Sequence, residues 1–225
     1  MEELIQESVS HSTIRRLPLY MPLLKADLDA GEQSISSAKI AEVLRLDPVL
    51  VRKDLASIGI TGQARLGFPI RELIEGIERF LGWDNVSEAF VIGAGNLGAA
   101  LAGYAGFEAH GLKIVGLFDA DPDKIGKRIA GKPVMDFAKF ASLVKRMHIH
   151  IAILTVPASA AHAVAQAAVE AGVRAVWNFT PVKLNLPETV IVERVDLAAS
   201  LAVLSSRLTS AARATEQQQQ ATLTR

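Results

Sequence analysis

The sequence contains no cysteine. This absence excludes disulfide bonds, iron–sulfur clusters and thiolate-bound structural zinc, and it agrees with a reducing compartment. No apolar run reaches the roughly 18 residues of a membrane-spanning helix, and the acidic first residues lack the basic and apolar regions of a signal peptide. We therefore expect a cytoplasmic protein that neither crosses nor binds a membrane.

The chain also lacks an excess of charge of either sign. Its 225 residues include 24 Lys and Arg against 24 Asp and Glu, which gives a formal net charge of zero at pH 7. A general attraction to nucleic acid is therefore not expected, and binding to a polyanion must come from local clusters of basic residues. Hydrophobic residues make up 50% of the chain, which is enough for the cores of two small domains.

A glycine-rich motif follows a short apolar run in the middle of the chain. Residues 91–98 read Val-Ile-Gly-Ala-Gly-Asn-Leu-Gly, with the G-x-G-x-x-G spacing. This spacing is typical of the turn between the first strand and helix of a dinucleotide-binding fold, where free N–H groups face a pyrophosphate. The residues that we assign to cofactor binding from this motif are Gly93, Gly95, Asn96, Leu97 and Gly98.

Asp119 strengthens the dinucleotide interpretation. It ends a second apolar run, about 20 residues beyond Gly98, where a carboxylate accepts hydrogen bonds from the adenosine ribose hydroxyls. The same carboxylate would repel a 2′-phosphate, so NAD(H) is favoured over NADP(H). The alternative is a glycine-rich turn of another α/β domain in which Asp119 only caps a helix.

From residue 89 onward, strand patterns alternate with helical patterns. This alternation predicts a parallel sheet wound by right-handed crossovers, with strands at 89–92, 114–118, 149–155, 175–178 and 190–193. Two of these strands run into irregular segments at the carboxyl edge of the sheet, where ligands bind in doubly wound folds. The candidate cofactor residues in these segments are Thr155, Val156, Pro157, Asn178, Phe179 and Thr180.

The first 82 residues have a helical pattern instead. A short helix at about 38–44 precedes a second helix that Asp47 caps and Pro48 begins, which outlines a helix–turn–helix. The segment 59–68 has the composition of a β-hairpin or wing. The sequence thus predicts a winged-helix domain over 1–82 and a Rossmann domain over 83–194.

A local excess of positive charge favours nucleic-acid binding by the first domain. Between Lys39 and Arg71 there are six cations and three anions, although residues 1–82 as a whole carry ten cations and twelve anions. Arg52 and Lys53 lie off the apolar face of the second helix, and Arg65 lies at the tip of the wing, so these three are the candidate DNA contacts. The alternative is an ordinary solvated surface.

A leucine pattern marks the end of the chain. Leu197, Leu201, Leu204 and Leu208 recur at steps of four, three and four on a predicted helix over 195–212. This apolar seam packs either on its own domain or on a partner subunit, and the spacing does not distinguish the two. The polar, glutamine-rich segment 213–225 is predicted to be disordered.

Residues for catalysis and for metal binding are lacking. A dehydrogenase needs a proton donor near the nicotinamide and a substrate-binding domain, and the sequence offers neither. His148 and His150 have no carboxylate pair at ligand spacing, so no metal site is expected. We predict that the protein is not an enzyme. The alternative is an NAD-dependent oxidoreductase whose first domain binds a substrate or a protein partner.

A series of short motifs along residues 12–208 resembles a known family. They read Thr-Ile-Arg-Arg-Leu-Pro-Leu-Tyr at 13–20, Ile-Ser-Ser at 35–37, Val-Arg-Lys-Asp-Leu at 51–55, Gly-Ala-Gly-Asn-Leu-Gly at 93–98, Tyr-Ala-Gly-Phe at 104–107, Phe-Asp-Ala-Asp-Pro at 118–122, Thr-Val-Pro-Ala at 155–158, Trp-Asn-Phe-Thr-Pro at 177–181 and Val-Asp-Leu-Ala-Ala at 195–199. In this order they resemble the Rex-type redox-sensing transcriptional repressors.

The resemblance implies a homodimer whose winged helices read a pseudo-palindromic operator in double-stranded DNA. It implies that the Rossmann domains bind NADH, which releases the DNA, or NAD⁺, which permits binding. It further implies that the terminal helix is exchanged between subunits and that Arg16, Tyr104 and Asp196 couple the nicotinamide redox state to domain orientation. The wing sequence Gly-Gln-Ala-Arg-Leu-Gly-Phe is less basic and less glycine-rich than is usual in this family.

Overall fold

The computed structural model describes residues 9–223, with side chains described for 9–213. The described chain divides into two compact units. The first unit comprises the residues up to Val86 together with Gly106–Leu112, and the second unit comprises Ser87–Ala105 and the chain from Lys113 onward. The division therefore falls after Val86 instead of at the predicted residue 82.

Within the described residues of the first unit there are four α-helices. They are α1 (His11–Asp29), α2 (Ser37–Leu44), α3 (Pro48–Ser57) and α4 (Ile70–Leu81). Arg45 ends α2 in the left-handed conformation, and the Asp47 carboxylate accepts a hydrogen bond of 2.6 Å from the Val49 N–H at the start of α3. The predicted helix–turn–helix is thus present, with Asp47 and Pro48 in their predicted roles at the start of α3.

The wing differs from the predicted hairpin. Strand β1 (Ser34–Ile35) pairs antiparallel with β2 (Phe68–Pro69), and within 59–68 the structure shows a single bridge between Gln63 and Gly67. Of the two predicted forms, a β-hairpin or a wing, the structure has the wing, and its paired strands are β1 and β2. Glycine at positions 59, 62 and 67 weakens strand formation in this segment, so the wing is mostly a loop whose exit strand β2 pairs with the residues before α2.

The core of the first unit fixes the orientation of α3. Val51 and Leu55 of α3 are fully buried, whereas Arg52 and Lys53 lie on the exposed side of the same helix. The other fully buried members of this core include Leu17, Tyr20 and Leu24 of α1 and Ile70, Leu73 and Ile77 of α4. Burial of this apolar face drives the three helices together.

The second unit contains a seven-stranded sheet. Its strands are β3 (Ser87–Ile92), β4 (Leu112–Asp119), β5 (Arg128–Ile129), β6 (Lys132–Asp136), β7 (Ile151–Leu154), β8 (Ala175–Asn178) and β9 (Ile191–Arg194). Their order is β5-β6-β4-β3-β7-β8-β9, and the pairs of β3 with β7, β4 with β6, β7 with β8 and β8 with β9 are parallel. From β6 to β9 this is the Rossmann order.

The sequence did not predict β5 and β6. Strand β5 has two residues and pairs antiparallel with β6, which adds an edge to the Rossmann order. The five predicted strands are all present, with ends shifted by a few residues. None of the helices in the described residues combines the length and the hydrophobicity of a membrane span.

Helices α5 (Asn96–Gly103), α6 (Phe140–Met147) and α7 (Ala158–Ala171) follow the strands of the second unit. A final helix, α8 (Leu197–Leu223), continues well beyond its predicted end at residue 212. The predicted disorder from residue 213 is thus corrected as far as Leu223, because alanine and glutamine favour helix and this segment contains neither glycine nor proline. Thr224 and Arg225 lie outside the described residues.

Candidate functional site

The loop between β3 and α5 requires glycine at two positions. Gly93 has φ of +105°, and a Cβ there would lie 2.8 Å from the Thr155 carbonyl oxygen. A Cβ at Gly98 would overlap the carbonyl oxygen of Gly93. Glycine at these positions therefore lets α5 and the end of β7 approach the loop closely.

Gly95 has a different environment. It precedes the first residue of α5 without a side-chain cap, and a Cβ there would have no atom within 4 Å. The first backbone N–H groups of α5 thus border open space beside the loop, with Asn96 and Leu97 in the first turn. Such an uncapped helix start, approached closely by backbone alone, fits the pyrophosphate of a dinucleotide.

Thr155 holds this loop in place from the neighbouring strand. Its Oγ1 donates a hydrogen bond of 2.8 Å to the Gly93 carbonyl oxygen and lies 3.1 Å from the carbonyl oxygen of Ile92. Because β3 and β7 are adjacent parallel strands, Thr155 and Gly93 meet at their carboxyl ends. This is the edge at which the strand order of the sheet reverses, and ligands of doubly wound sheets bind there.

Asp119 ends β4 beside the same loop. Its carboxylate accepts hydrogen bonds from the Ala94 N–H at 2.8 Å, the Asp121 N–H at 2.9 Å and the Lys124 ammonium at 3.1 Å. Burial acts to raise the pKa of Asp119, but these hydrogen bonds outweigh it and the pKa lies below its usual value. Asp119 is therefore ionised at neutral pH.

A cavity of about 510 Å³ opens between these groups. This volume is within the range of small-ligand pockets, and apolar side chains dominate its wall. The predicted site residues that line it are Gly93, Gly95, Asp119, Thr155, Val156 and Pro157. The lining residues that the sequence analysis missed are Ile92, Phe118, Ala120, Lys124, Phe137, Ala160 and Val164.

Six predicted cofactor residues are not part of this lining: Asn96, Leu97 and Gly98 at the start of α5, and Asn178, Phe179 and Thr180 at the end of β8 and in the turn that follows it. The Asn178 Oδ1 accepts hydrogen bonds from the Thr180 N–H at 2.9 Å and the Thr180 hydroxyl at 2.7 Å, and its amide donates to the Val182 carbonyl at 2.8 Å. Both side chains are buried within the turn after β8. The Phe179 N–H donates to the Leu154 carbonyl oxygen at 3.0 Å. The described contacts of Asn178, Phe179 and Thr180 thus shape the turn.

The candidate DNA contacts lie on the surface of the first unit. Arg52 and Lys53 are exposed on α3, and an Arg52 guanidinium nitrogen donates to the Ser37 hydroxyl at 3.2 Å. Arg65 is exposed in the wing loop, with φ of +66°. Two adjacent cations on the second helix of a helix–turn–helix occupy the place from which such helices contact DNA.

Asp54, one of the anions counted in this basic segment, is not at the surface. Its relative exposure is 1%, and its carboxylate accepts hydrogen bonds from the Thr13 hydroxyl at 3.0 Å and the Tyr20 hydroxyl at 2.6 Å. The Arg16 guanidinium donates to both carboxylate oxygens, at 2.7 Å from Nε and 2.6 Å from Nη2. The exposed part of this segment is therefore more basic than its sequence indicates.

The ionisation of this cluster follows from its contacts. Burial acts to raise the pKa of Asp54, but the hydrogen bonds from Arg16, Tyr20 and Thr13 outweigh it and lower the pKa. The hydrogen bond to Asp54 raises the pKa of Arg16, and burial followed by the bond to Asp54 raises the pKa of Tyr20 well above its usual value. Asp54 is thus a buried, ionised carboxylate with a charged partner.

The structure places all three residues assigned to the switch and gives local side-chain partners for two of them, Arg16 and Asp196. The carboxylate partner of Arg16 is Asp54 in the first unit. Asp196 accepts a hydrogen bond of 2.6 Å from Arg194 and another of 3.1 Å from the Ala199 N–H at the start of α8, so it caps that helix. Tyr104 follows α5 with its side chain 59% exposed. In the single chain, Arg16 and Asp196 therefore each bond a residue of their own unit.

Asp54 was missed because its partner is 38 residues away in the sequence. The available signal was its position between Val51 and Leu55, on the apolar side of α3, where an unpaired carboxylate would be costly.

For metals, the described residues contain no group of three or more His, Cys, Asp or Glu side chains that could hold an ion.

The two units define a class of protein: a helix–turn–helix unit joined to a Rossmann unit with a nucleotide-type pocket. Family models agree with this division. The model described as "Putative DNA-binding protein N-terminus" matches residues 8–56, and the model described as "CoA binding domain" matches residues 84–182.

Curated relatives identify the family. The chain is 49% identical to the redox-sensing transcriptional repressor Rex of Treponema denticola, over 85% of this chain and 91% of that protein. It is 39% identical to the Rex protein of Porphyromonas gingivalis strain W83, over 92% of this chain and 95% of that one. The chain therefore belongs to the Rex family of redox-sensing transcriptional repressors, which are regulators and not enzymes.

Solved structures extend the likeness to three dimensions. The chain is similar to RSP, a Rex-family repressor, in its crystal structure with β-NAD⁺ and operator DNA, with a TM-score of 0.85, 36% identity and coverage of 92% of this chain and 96% of that one. The β-NADH complex of RSP gives a TM-score of 0.83 and 35% identity, with coverage of 93% and 98%.

Proposed function

We propose that this protein represses transcription by binding operator DNA when the NADH/NAD⁺ ratio is low and that NADH releases it. One observation carries the proposal: a single chain has a helix–turn–helix with Arg52 and Lys53 exposed and a glycine loop whose open side faces a cavity beside Asp119. The RSP complexes support it, since that similar protein was crystallised with β-NAD⁺ and operator DNA and with β-NADH.

The chain's own residues divide the work of holding the dinucleotide. The uncapped start of α5 at Gly95 and Asn96 binds the pyrophosphate, and the ionised Asp119 accepts hydrogen bonds from the ribose hydroxyls. Phe137 and Val164 give the cavity an apolar wall for the adenine. The bound nicotinamide supplies the signal, because its oxidised and reduced forms differ in charge and shape.

We infer that the functional form is a homodimer with exchanged terminal helices. Leu197, Leu201, Leu204 and Leu208 of α8 are between 62% and 70% exposed in the single chain. An apolar seam of four leucines in water is unfavourable, and a second copy of the same helix provides a matching surface. A dimer of this kind also presents two reading helices to the two halves of a pseudo-palindromic operator.

The assignment of Arg16, Tyr104 and Asp196 to the redox switch belongs to this proposal. Asp196 directly precedes α8 and caps it, so an exchange of α8 carries this carboxylate toward the partner subunit. There it competes for a cation such as Arg16, and Tyr104 supplies an exposed hydroxyl that can change partners. Coupling of about 1.4 kcal/mol between the two sites is sufficient for a tenfold change in DNA affinity.

The deciding experiment selects bound duplexes from a random DNA pool with the full chain and then measures operator affinity by fluorescence anisotropy. Saturating NADH should weaken operator binding at least about tenfold, whereas NAD⁺ should not. NADPH and coenzyme A serve as comparison ligands, the latter because of the family model matched by the second unit.

Equal operator affinity with and without NADH would contradict the proposal. If coenzyme A, and not NADH, releases the protein from operator DNA, the effector is a different adenosine nucleotide. Steady oxidation of NADH with a small carbonyl compound would favour the alternative, an NAD-dependent oxidoreductase.

A further inference from the structure

The buried carboxylate of Asp54 lies on the helix that carries the candidate DNA contacts. Lys53 precedes it directly and Arg52 lies two positions before it. The side-chain donors that the structure gives this carboxylate, Thr13, Arg16 and Tyr20, all belong to α1. Asp54 therefore ties α3 to α1 by four hydrogen bonds, counting two from Arg16.

This attachment fixes the rotation of α3 about its axis. Successive residues of an α-helix are about 100° apart, so an inward Asp54 places Arg52 roughly opposite it and Lys53 on the flank. Apolar contacts of Val51 and Leu55 alone permit small rotations, because dispersion forces have little directionality. A bidentate Arg–carboxylate pair permits much less rotation of the helix, because both N–H groups must keep pointing at the carboxylate oxygens.

We propose that Asp54 is a positioning residue for operator recognition. Its two-bond pair with Arg16 sets the orientation of Arg52 and Lys53 on α3. When Arg16 pairs with a different anion, the orientation of these two side chains changes. This inference rests on the proposed repressor function and deepens it. It adds to the switch a residue that contacts neither DNA nor cofactor.

The exposures of the two partners agree with such a relay. The Arg16 side chain is 20% exposed and can be reached by a second carboxylate, whereas the Asp54 side chain is 2% exposed and cannot follow it. When Arg16 turns to another anion, Asp54 keeps its bonds to Thr13 and Tyr20 but loses its positive partner. A buried carboxylate without its counter-charge is unfavourable, so α3 must readjust.

The test compares three variants of the full chain. Asp54→Asn keeps the side-chain shape but removes the charge that holds Arg16. Tyr20→Phe removes one donor to Asp54 and leaves the Arg16 pair intact. Glu75→Gln removes one negative charge from an exposed position of α4 and is the matched control. Operator affinity is measured with and without saturating NADH, NADH affinity by nucleotide fluorescence, and folding by circular dichroism.

We expect Asp54→Asn to weaken operator binding roughly tenfold and to reduce the effect of NADH on that binding to less than about twofold. NADH affinity should stay at the parental value, because the cavity lies in the second unit. Glu75→Gln should behave like the parent protein. Loss of the NADH effect separates positioning from a purely structural role, since a smaller folded fraction does not change the ratio of the two affinities.

A folded Asp54→Asn variant with the parental NADH effect would overturn the inference. If this variant does not fold, Tyr20→Phe decides: because the Arg16 pair is intact, operator affinity within a few-fold of the parent's with the NADH effect retained supports the inference, and loss of the NADH effect contradicts it. A parent protein that binds operator without any NADH effect would instead refute the proposed function.

Discussion

At the scale of single residues, each unit of the protein holds one carboxylate with several donors. Asp119 accepts from two backbone N–H groups and Lys124, and Asp54 accepts from three side chains of α1. In both cases the hydrogen bonds outweigh the effect of burial and keep the pKa low. The direction of each carboxylate is therefore fixed. At Asp119 this lowers the cost of binding a ligand, and at Asp54 it fixes α3 against α1.

Cofactor selectivity provides a test at Asp119. Replacing it in Asp119→Asn removes the charge that opposes a 2′-phosphate and leaves the Lys124 ammonium at the cavity wall. The preference for NADH over NADPH should fall at least about tenfold, because Lys124 then attracts the extra phosphate. Parallel fluorescence titrations with the two nucleotides measure this preference.

Asp121→Asn is the matched control for Asp119→Asn. Asp121 also pairs with Lys124, at 3.5 Å, but it is not part of the cavity lining. Its substitution removes the same amount of charge near Lys124 and keeps Asp119, so the preference for NADH should remain. An unchanged preference in Asp119→Asn would show that Asp119 does not select between the two nucleotides.

The pH dependence of stability provides a test at Asp54. Its pKa is lowered in the folded state, so it contributes stability that is fully present above the ordinary Asp pKa and is lost as the pH falls through the folded value. Asp54→Asn should cost about 3 kcal/mol of unfolding free energy at pH 7. This difference should shrink steadily below about pH 4.

Urea unfolding followed by tryptophan fluorescence measures this effect in the first unit. The chain has two tryptophans, Trp83 in the first unit and Trp177 in the second, so a Trp177→Phe background makes Trp83 the reporter. A Glu75→Gln variant in the same background should show a small difference at every pH. A pH-independent cost of Asp54→Asn would refute the linkage.

At the scale of secondary-structure elements, the turn from β3 to α5 separates two uses of glycine. Gly98 is needed for packing, since a Cβ would overlap the Gly93 carbonyl oxygen, whereas Gly95 faces open space. Gly98→Ala should therefore lower both the melting temperature and NADH affinity. Gly95→Ala should fold like the parent protein but bind NADH at least about tenfold more weakly, because its methyl group occupies the pyrophosphate path.

Thermal melts and NADH titrations of both glycine variants measure these effects. Gly31→Ala is not a useful control, because its φ of +89° makes the substitution strained without any cofactor. Gly103→Ala, where a Cβ would be 3.4 Å from the Ala130 methyl group, is the better control at the other end of α5. Parental NADH affinity in Gly95→Ala would place the pyrophosphate elsewhere.

Elements with strong local signals could be predicted from the sequence. The Asp47–Pro48 start of α3 and the apolar runs of β3, β4 and β7 depend on neighbouring residues, and the structure has them as predicted. Strands β1 and β2 have two residues each and pair with each other across α2, α3 and the wing, so no local pattern indicates them. Strand β5 also has two residues and pairs with the neighbouring β6 across Ala130 and Gly131, and it is too short to show the alternation of a strand.

The same distinction applies to the candidate site. The glycine loop and Asp119 follow a fixed spacing and could be identified, whereas Phe137 and Lys124 enter the cavity only because β6 and the loop after β4 fold beside it. Asn178 and Thr180 were placed correctly at a strand end, but their hydrogen bonds to each other and to Val182 depend on the shape of the following turn. The sequence does not specify that shape.

At the scale of the whole molecule, the proposed repressor requires two coupled sites and two copies of the chain. In that proposal the second unit holds the dinucleotide site and the first unit holds the helix that contacts DNA, so one chain carries both the sensor and the DNA-binding element. A single helix–turn–helix binds only one half-site, and dimerisation makes the affinity depend on both half-sites at once. The redox response therefore depends on the surface that joins the copies.

The exposed leucines of α8 give the test of that surface. Replacing two of them, in Leu201→Glu with Leu208→Glu, places charges in the apolar seam, and the parent mass of twice 24.1 kDa should fall to that of one chain. Operator affinity should fall at least about a hundredfold, because each chain then binds a half-site alone. Light scattering after gel filtration and anisotropy titrations give the two readouts.

Ser206→Glu is the control for this double variant, since it adds charge to α8 roughly opposite Leu204 and so away from the seam. It should remain dimeric and bind operator like the parent protein. A parent protein that is monomeric at operator-binding concentrations would contradict the proposed dimer. A monomeric double variant with parental operator affinity would show that one copy of α3 is sufficient for binding. If the double variant is monomeric and still binds NADH, the cavity of one chain is enough for the cofactor and the dimer serves the DNA.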